Sequence, residues 1–210
     1  MIIPAREALE RLREGNRRFV SNTVDLDAKL DPVRRKALTA GQRPVAIVLG
    51  CSDSRVPAEI VFDQGLGDLF VIRVAGNIVA PSQVGSVEFA AEQFGTELVV
   101  VLGHSQCGAV LATVNEMTHQ VGALSPNLRS IVDRIRPAVE SLVDAGLVPD
   151  IATLVDQAVR ANVRASVDHL RHGSASLESL IGTGRLLVVG AEYSLETGEV
   201  DFFYGASEEG

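Results

Sequence analysis

Three short runs constrain this chain most: "VAIVLG" at 45–50, "LFVIRV" at 69–74 and "ELVVVLG" at 97–103. Each is rich in β-branched residues and carries too little polarity for one wet face. Such runs suit parallel strands covered on both sides. Helical patterns alternate with them. "SQVGSVEFAAEQFG", between the second and third runs, places Val84, Val87, Phe89, Ala90 and Phe94 at helical spacing and ends at Gly95. A fourth run, "RLLVVGAEY" at 185–193, is followed by "SLETGEVDFFYG", which predicts a turn at Thr197–Gly198 and a fifth, antiparallel edge strand. The predicted fold is α/β: a mostly parallel β-sheet of about four parallel strands plus an antiparallel edge strand, flanked by helices.

Residues 4–20 predict an amphipathic helix, with Pro4 in its first turn and Ala8, Leu9, Leu12, Asn16 and Phe19 on one face. "DPVRRKALTAG" predicts a second, with Asp31 as N-cap, Pro32 at the first helical position and Gly41 just past the end. Helical spacing recurs in "GAVLATVNEM" after Cys107, from Leu128 to Leu142, and from Ile151 to Leu170 with Asp150 as N-cap. Neither an internal repeat nor a low-complexity linker divides the 210 residues. They predict a single domain over 1–210, an N-terminal helical arm (1–41) leading into an α/β core (42–210). The apolar face of 4–20 fits a partner subunit and the chain's own core equally well.

A net charge of −8 and a pI near 5.0 argue against a nucleic-acid binder, which normally presents a basic face. The basic clusters at Arg11, Arg13, Arg17 and Arg18 and at Arg34–Lys36 lie in helical patterns and read as solvated faces. With no Trp and 4% aromatic residues, a stacking platform for bases is also disfavoured. Mean hydropathy is slightly positive, yet no run reaches the ~18 apolar residues of a membrane span. The N-terminus carries charge throughout, unlike a signal peptide, so a cytoplasmic protein is expected. Cys51 and Cys107 are the only two cysteines, which fit one bridge, two buried thiols or two metal ligands.

Cys51 follows the end of the first strand run and His104 follows the third, where functional loops of parallel sheets gather. "GHSQCG" sets His104 and Cys107 three apart at a strand-to-helix turn. With Cys51 they offer two thiolates and an imidazole, a set that suits Zn²⁺ and leaves a fourth position for water or substrate. His119, His169 and His172 sit in polar helical contexts and supply no obvious fourth structural ligand. A helix-start histidine beside a buried cysteine explains the same residues without a metal. Asp53 and Arg55 fit a surface ion pair or turn cap; beside a metal, Asp53 accepts a hydrogen bond from its water while Arg55 holds Asp53 in place.

"CSDSR" followed by "GHSQCGA" resembles the β-class carbonic anhydrases, in particular the plant-type subgroup. The likeness extends through "ALERLREGNRRF", "GQRPVAIVLGCSDSRVPAEIVFDQGLGDLFVIRVAGNIV" and "GSVEFAAEQFGTELVVVLGHSQCGAV", covering 5–115, whereas 118–180 matches only in helical character. It implies one Zn²⁺ per chain held by Cys51, His104 and Cys107, with Asp53 and Arg55 as a catalytic dyad. The implied reaction is reversible hydration of carbon dioxide to bicarbonate and a proton, by attack of zinc-bound hydroxide on CO2. Two thiolates donate more charge than imidazoles would, so an activity optimum above neutral pH is expected. Gln42 matches a bicarbonate contact, and Phe70, Ala75, Phe89 and Gly108 complete the implied substrate pocket. Phe89 stands where many members have tyrosine, and Ala75 where valine is common. Arg73 and Tyr193 match two members of a bicarbonate-regulated trio whose Trp is missing here. Homodimers or homotetramers are implied, with N-terminal helices embracing a neighbour and pocket residues shared across the interface. Two other readings stay open: a CS2 or COS hydrolase on the same zinc site, and a non-catalytic zinc or redox protein built on the two thiols.

Overall fold

The computed structural model describes residues 3–24, 29, 31–118, 124–144 and 150–206. The N-terminal pattern becomes α1 (Ala5–Val20), and Pro32–Ala37 forms α2 with a 3-10 turn at Leu38–Ala40. Asp31 caps α2 by accepting from the Val33 N–H at 2.9 Å, and Pro32 occupies the first turn, where a missing N–H costs nothing. Then follow β1 (Ala46–Gly50), α3 (Ala58–Val61), β2 (Leu69–Arg73), α4 (Pro81–Phe94) and β3 (Leu98–His104). Gly95, at φ 64°, stops α4 in the left-handed conformation that glycine adopts cheaply. The second half comprises α5 (Gly108–Thr118), α6 (Pro126–Asp144), α7 (Ile151–His172), α8 (Ala175–Gly182), β4 (Leu187–Tyr193) and β5 (Val200–Tyr204). Asp150 caps α7 through the Thr153 N–H. His119 lies outside the described residues.

Among the described residues the strands form one sheet in the order β2-β1-β3-β4-β5. The first four run parallel and β5 pairs antiparallel with β4. Strand side chains alternate between two buried layers. Val48, Val100 and Leu102 face α1 and α3 together with Phe62, whereas Ile47, Leu49, Val99 and Val101 face α4 and α7. Covering on both faces is why the central runs show no polar alternation. The apolar face of α1, Ala8, Leu9 and Leu12, packs on this chain's own sheet. No helix among the described residues is long and apolar enough to cross a membrane.

Gly15 shows how tightly α1 is seated. A Cβ built there would lie 1.8 Å from the Phe62 carbonyl oxygen, a backbone atom that cannot swing away. Gly15→Ala gains about 1 kcal/mol of helix propensity but must lift α1 off the loop, an overpacking loss of about 3 kcal/mol. A net loss of about 2 kcal/mol is expected, read as a lower urea midpoint; an unchanged midpoint contradicts the close packing.

Asp63 ties the same region together. Its side chain is buried and paired with Arg18 of α1 and with Lys29. Burial pushes its carboxyl up, but the hydrogen bonds from Lys29 and Arg18 outweigh this and hold it below its ordinary value. A depressed folded-state pKa adds stability above the unfolded value near ~4, which is lost as pH falls through the folded pKa. Asp63→Asn should therefore cost about 2 kcal/mol at pH 7, less than a fully buried pair because Arg18 is partly exposed. The gap between variant and parent should shrink below pH ~4 in urea melts. A gap that stays constant with pH would show that the Asp63 charge does not matter.

Candidate metal centre

The C-terminal ends of β1 and β3 lie side by side in the sheet, and this adjacency brings distant residues together. Cys51 leaves β1 directly after Gly50, and His104 is the last residue of β3. Between His104 and α5 the chain turns through Gln106 at φ 56°, which sets Cys107 at the head of the helix. The ligand atoms of Cys51, His104 and Cys107 all lie within 4.8 Å of one another, and all three residues are buried. This is the one group of three or more metal-ligating side chains among the described residues.

The histidine is oriented for ligation. Its Nδ1 lies 2.9 Å from the Ser105 carbonyl, which only accepts, so the proton sits on Nδ1 and the lone pair on Nε2. Ser105 is itself fixed by the end of β4 and the turn after it: its N–H donates to the Tyr193 carbonyl, and its hydroxyl accepts from the Leu195 N–H. The Nε2 atom is fully buried and has no hydrogen-bond partner among the described residues. A buried polar atom without a partner is costly, and a metal ion held by His104 and the two cysteines would satisfy it.

The two thiols are unbridged and buried side by side. A hydrogen bond from the Cys107 thiol holds the Cys51 thiol well below its ordinary range, against the opposing effect of burial. Cys107, sharing that proton with a neighbouring thiolate and buried, is pushed far up. A metal ion held here would take both sulfurs as thiolates, the form in which cysteine ligates. The donor set, two thiolates and a neutral imidazole, fits Zn²⁺.

Asp53 stands at the rim of the cluster, its Oδ2 3.9 Å from His104 Nε2. Arg55 grips it in a fork: Nε to Oδ1 at 2.9 Å, Nη2 to Oδ2 at 2.8 Å, and the Arg55 backbone N–H to Oδ1 at 3.0 Å. That fork, more than any other influence, holds the Asp53 carboxyl well below the usual carboxylate range. Arg73, at the end of β2, donates to the backbone carbonyls of Cys51 and Asp53 and clamps the loop that carries both side chains.

The carbonic anhydrase family model matches residues 46–200, which include the whole cluster. The fold is shared with the β-carbonic anhydrase CafA of Aspergillus fumigatus, with TM-score 0.73 and 25% identity over 85% of this chain and 83% of the other. The chain belongs to the β-class carbonic anhydrases. Carbonic anhydrase 2 of Mycobacterium tuberculosis is 39% identical over 194 residues, 91% of this chain and 89% of the relative. The carbonic anhydrase of Mycolicibacterium smegmatis is likewise 39% identical, over 92% of this chain and 91% of the relative.

Within this β-class carbonic anhydrase the structure divides the sequence-predicted site into two groups. Cys51, Asp53, Arg55, His104 and Cys107 converge on one point. Ala75 and Gly108 flank it, Ala75 next to Gly76, whose N–H donates to Cys51 Sγ, and Gly108 directly after Cys107. Gln42, Phe70 and Phe89 are elsewhere. Gln42 precedes β1 and lines a cavity with Val45, Gln93 and Phe94 at the opposite end of the sheet from Cys51. A five-residue strand separates the two ends, roughly 17 Å. Phe70 and Phe89 form an aromatic cluster with Phe94, with ring centroids 5.6–6.3 Å apart, and Phe89 is 52% exposed. The backbone clamp by Arg73 and the thiolate donor Gly76 were not predicted in those roles. An arginine at the end of an otherwise apolar strand was the available signal for the first.

Proposed function

We propose that this chain is a zinc enzyme that hydrates carbon dioxide reversibly to bicarbonate and a proton. Zn²⁺ is held by Cys51, His104 and Cys107. The buried Nε2 of His104, without a hydrogen-bond partner among the described residues and beside two buried thiols, carries this reading. When bound, zinc lowers the pKa of a coordinated water and so supplies the nucleophile for CO2. Asp53, kept ionised by Arg55, is the hydrogen-bond acceptor that orients that nucleophile. Because both of its oxygens are taken by the Arg55 fork, Asp53 is held back from joining the ligands itself. Arg73 and Ser105 fix the loop and the imidazole to which these groups are attached.

Gln42, Phe70 and Phe89 lie at the wrong end of the sheet to serve the metal centre of their own chain. The reading therefore includes a homodimer or homotetramer in which a second copy supplies these residues. Two observations support it: Phe89 is a large exposed aromatic, and β2 forms an edge of the sheet beside the aromatic cluster. Carbon dioxide has no net charge or dipole, so phenylalanine walls suit it, while the Gln42 amide suits the charge that develops on oxygen.

A stopped-flow CO2 hydration assay on purified protein tests the function. Activity should accompany one zinc per chain, disappear on chelation and return when zinc is restored. Faster turnover of CS2 or COS than of CO2 would move the assignment to that hydrolase on the same centre. A chain with no zinc and two oxidised thiols would end the enzymatic reading.

A further inference from the structure

The turn after β2 adopts an unfavourable backbone and is held there from α7. Gly76 and Asn77 both have positive φ, 71° and 43°. At Gly76 the positive φ favours glycine, and a Cβ would also crowd Ile135 Cδ1 at 2.8 Å and Ala109 Cβ at 3.1 Å. Asn77, a non-glycine residue in the left-handed region, also has a buried side-chain Nδ2 without a partner among the described residues. Such costs persist where surrounding contacts over-determine the conformation, commonly at functional sites.

Those contacts come from two polar residues on the buried stripe of α7. Asn162 Nδ2 donates to the Gly76 carbonyl at 2.8 Å, and Ser166 Oγ donates to the Asn77 carbonyl at 3.1 Å. Both residues are buried, among Ala158, Val159, Val163 and Val167. On its other side Gly76 directs its backbone N–H at Cys51 Sγ, 3.3 Å away. The two peptide planes flanking Gly76 are thus pinned, one by α7 and one by the sulfur.

We propose that Asn162, assisted by Ser166, is a positioning residue of the metal centre: it holds the 75–77 turn so that the Gly76 N–H stays on the Cys51 sulfur. An N–H donor on a ligating thiolate withdraws charge from the sulfur and fixes its direction, as partners of metal ligands generally do. With two thiolates in the set, that withdrawal keeps the metal the more electrophilic. Nothing in the sequence motifs around Cys51 or His104 contains these residues; they lie in the stretch that resembled the family only in helical character.

The inference rests on the zinc reading, and its test separates the two. The intact chain is loaded with an NMR-active cadmium isotope, and scalar coupling between the metal and the Gly76 amide proton is measured. Coupling through the N–H···S bond is expected. In parallel, zinc release to a chelator is followed well below the melting temperature. Asn162→Ala should release zinc about tenfold faster or more and lose the coupling, with Ser166→Ala intermediate. Metal uptake without coupling in the parent chain overturns the inference, as does an Asn162→Ala protein that melts earlier but releases zinc at the parent rate. Should that variant not fold, the parent coupling and Ser166→Ala decide. A chain that takes up neither metal overturns the zinc reading, and the inference falls with it.

Discussion

Cys51→Ser should yield a folded protein that no longer retains zinc and no longer hydrates CO2 above the background rate. The hydroxyl replaces the sulfur in size but not in softness or acidity. The Cys51 thiol is already held low by Cys107, whereas a serine hydroxyl is not ionised at neutral pH. Altering the partners of metal ligands typically costs about 10–100-fold in affinity, so loss of a ligand should exceed the upper figure. The sheet should survive. Cys51 lies beyond β1 and contributes one small side chain to a cluster anchored by Val110, Ile135, Val139 and Val159. Metal content after dialysis, CO2 hydration and a urea melt together check the claim. Stoichiometric zinc with full rate in the variant would remove Cys51 from the ligand set.

Asp53→Asn should do the converse, keeping the zinc and losing the rate. The substitution preserves shape but removes the charge that Arg55 grips and turns one oxygen acceptor into a donor. A hydrogen-bonding group that orients a nucleophile typically contributes about 10²-fold or more, and a loss of that order in kcat is expected with zinc content unchanged. Arg55→Ala should lower the rate by a different route. It frees both Asp53 oxygens, which now stand 2.8 and 2.9 Å from the guanidinium, and leaves the carboxylate able to approach the metal. If Asp53→Asn retained the parent kcat, the dyad would be an ion pair without a role in the reaction. Zinc lost from Asp53→Asn would instead place Asp53 among the ligands.

The parts of the fold that were legible in the sequence are those set by local chemistry. The β-branched runs became β1 and β3, buried on both faces at the centre of the sheet, and β2, a half-buried edge, while Asp31, Asp150 and Gly95 mark helix ends through backbone geometry. Cys51 and His104 could be paired in advance because each closes a parallel strand. Strand order could not be read, since no single run records its neighbour. The substrate-pocket residues show another limit. Motif spacing puts Gln42 and Cys51 nine positions apart, yet β1 lies between them and carries them to opposite ends of the sheet. Asn162 was hidden for a further reason: a polar residue on an apolar helical stripe shows its purpose only when its acceptor, Gly76, is brought beside it from 86 positions away.

The separation of Gln42 from Cys51 has a kinetic consequence. On the proposed ligand set, loading of the ion needs side chains of one polypeptide only and should not depend on assembly. Turnover, if the remaining wall comes from another copy, inherits the association constant of the assembly. Specific activity would then fall with dilution while zinc per chain stays constant. Two properties usually measured as one would separate along the concentration axis.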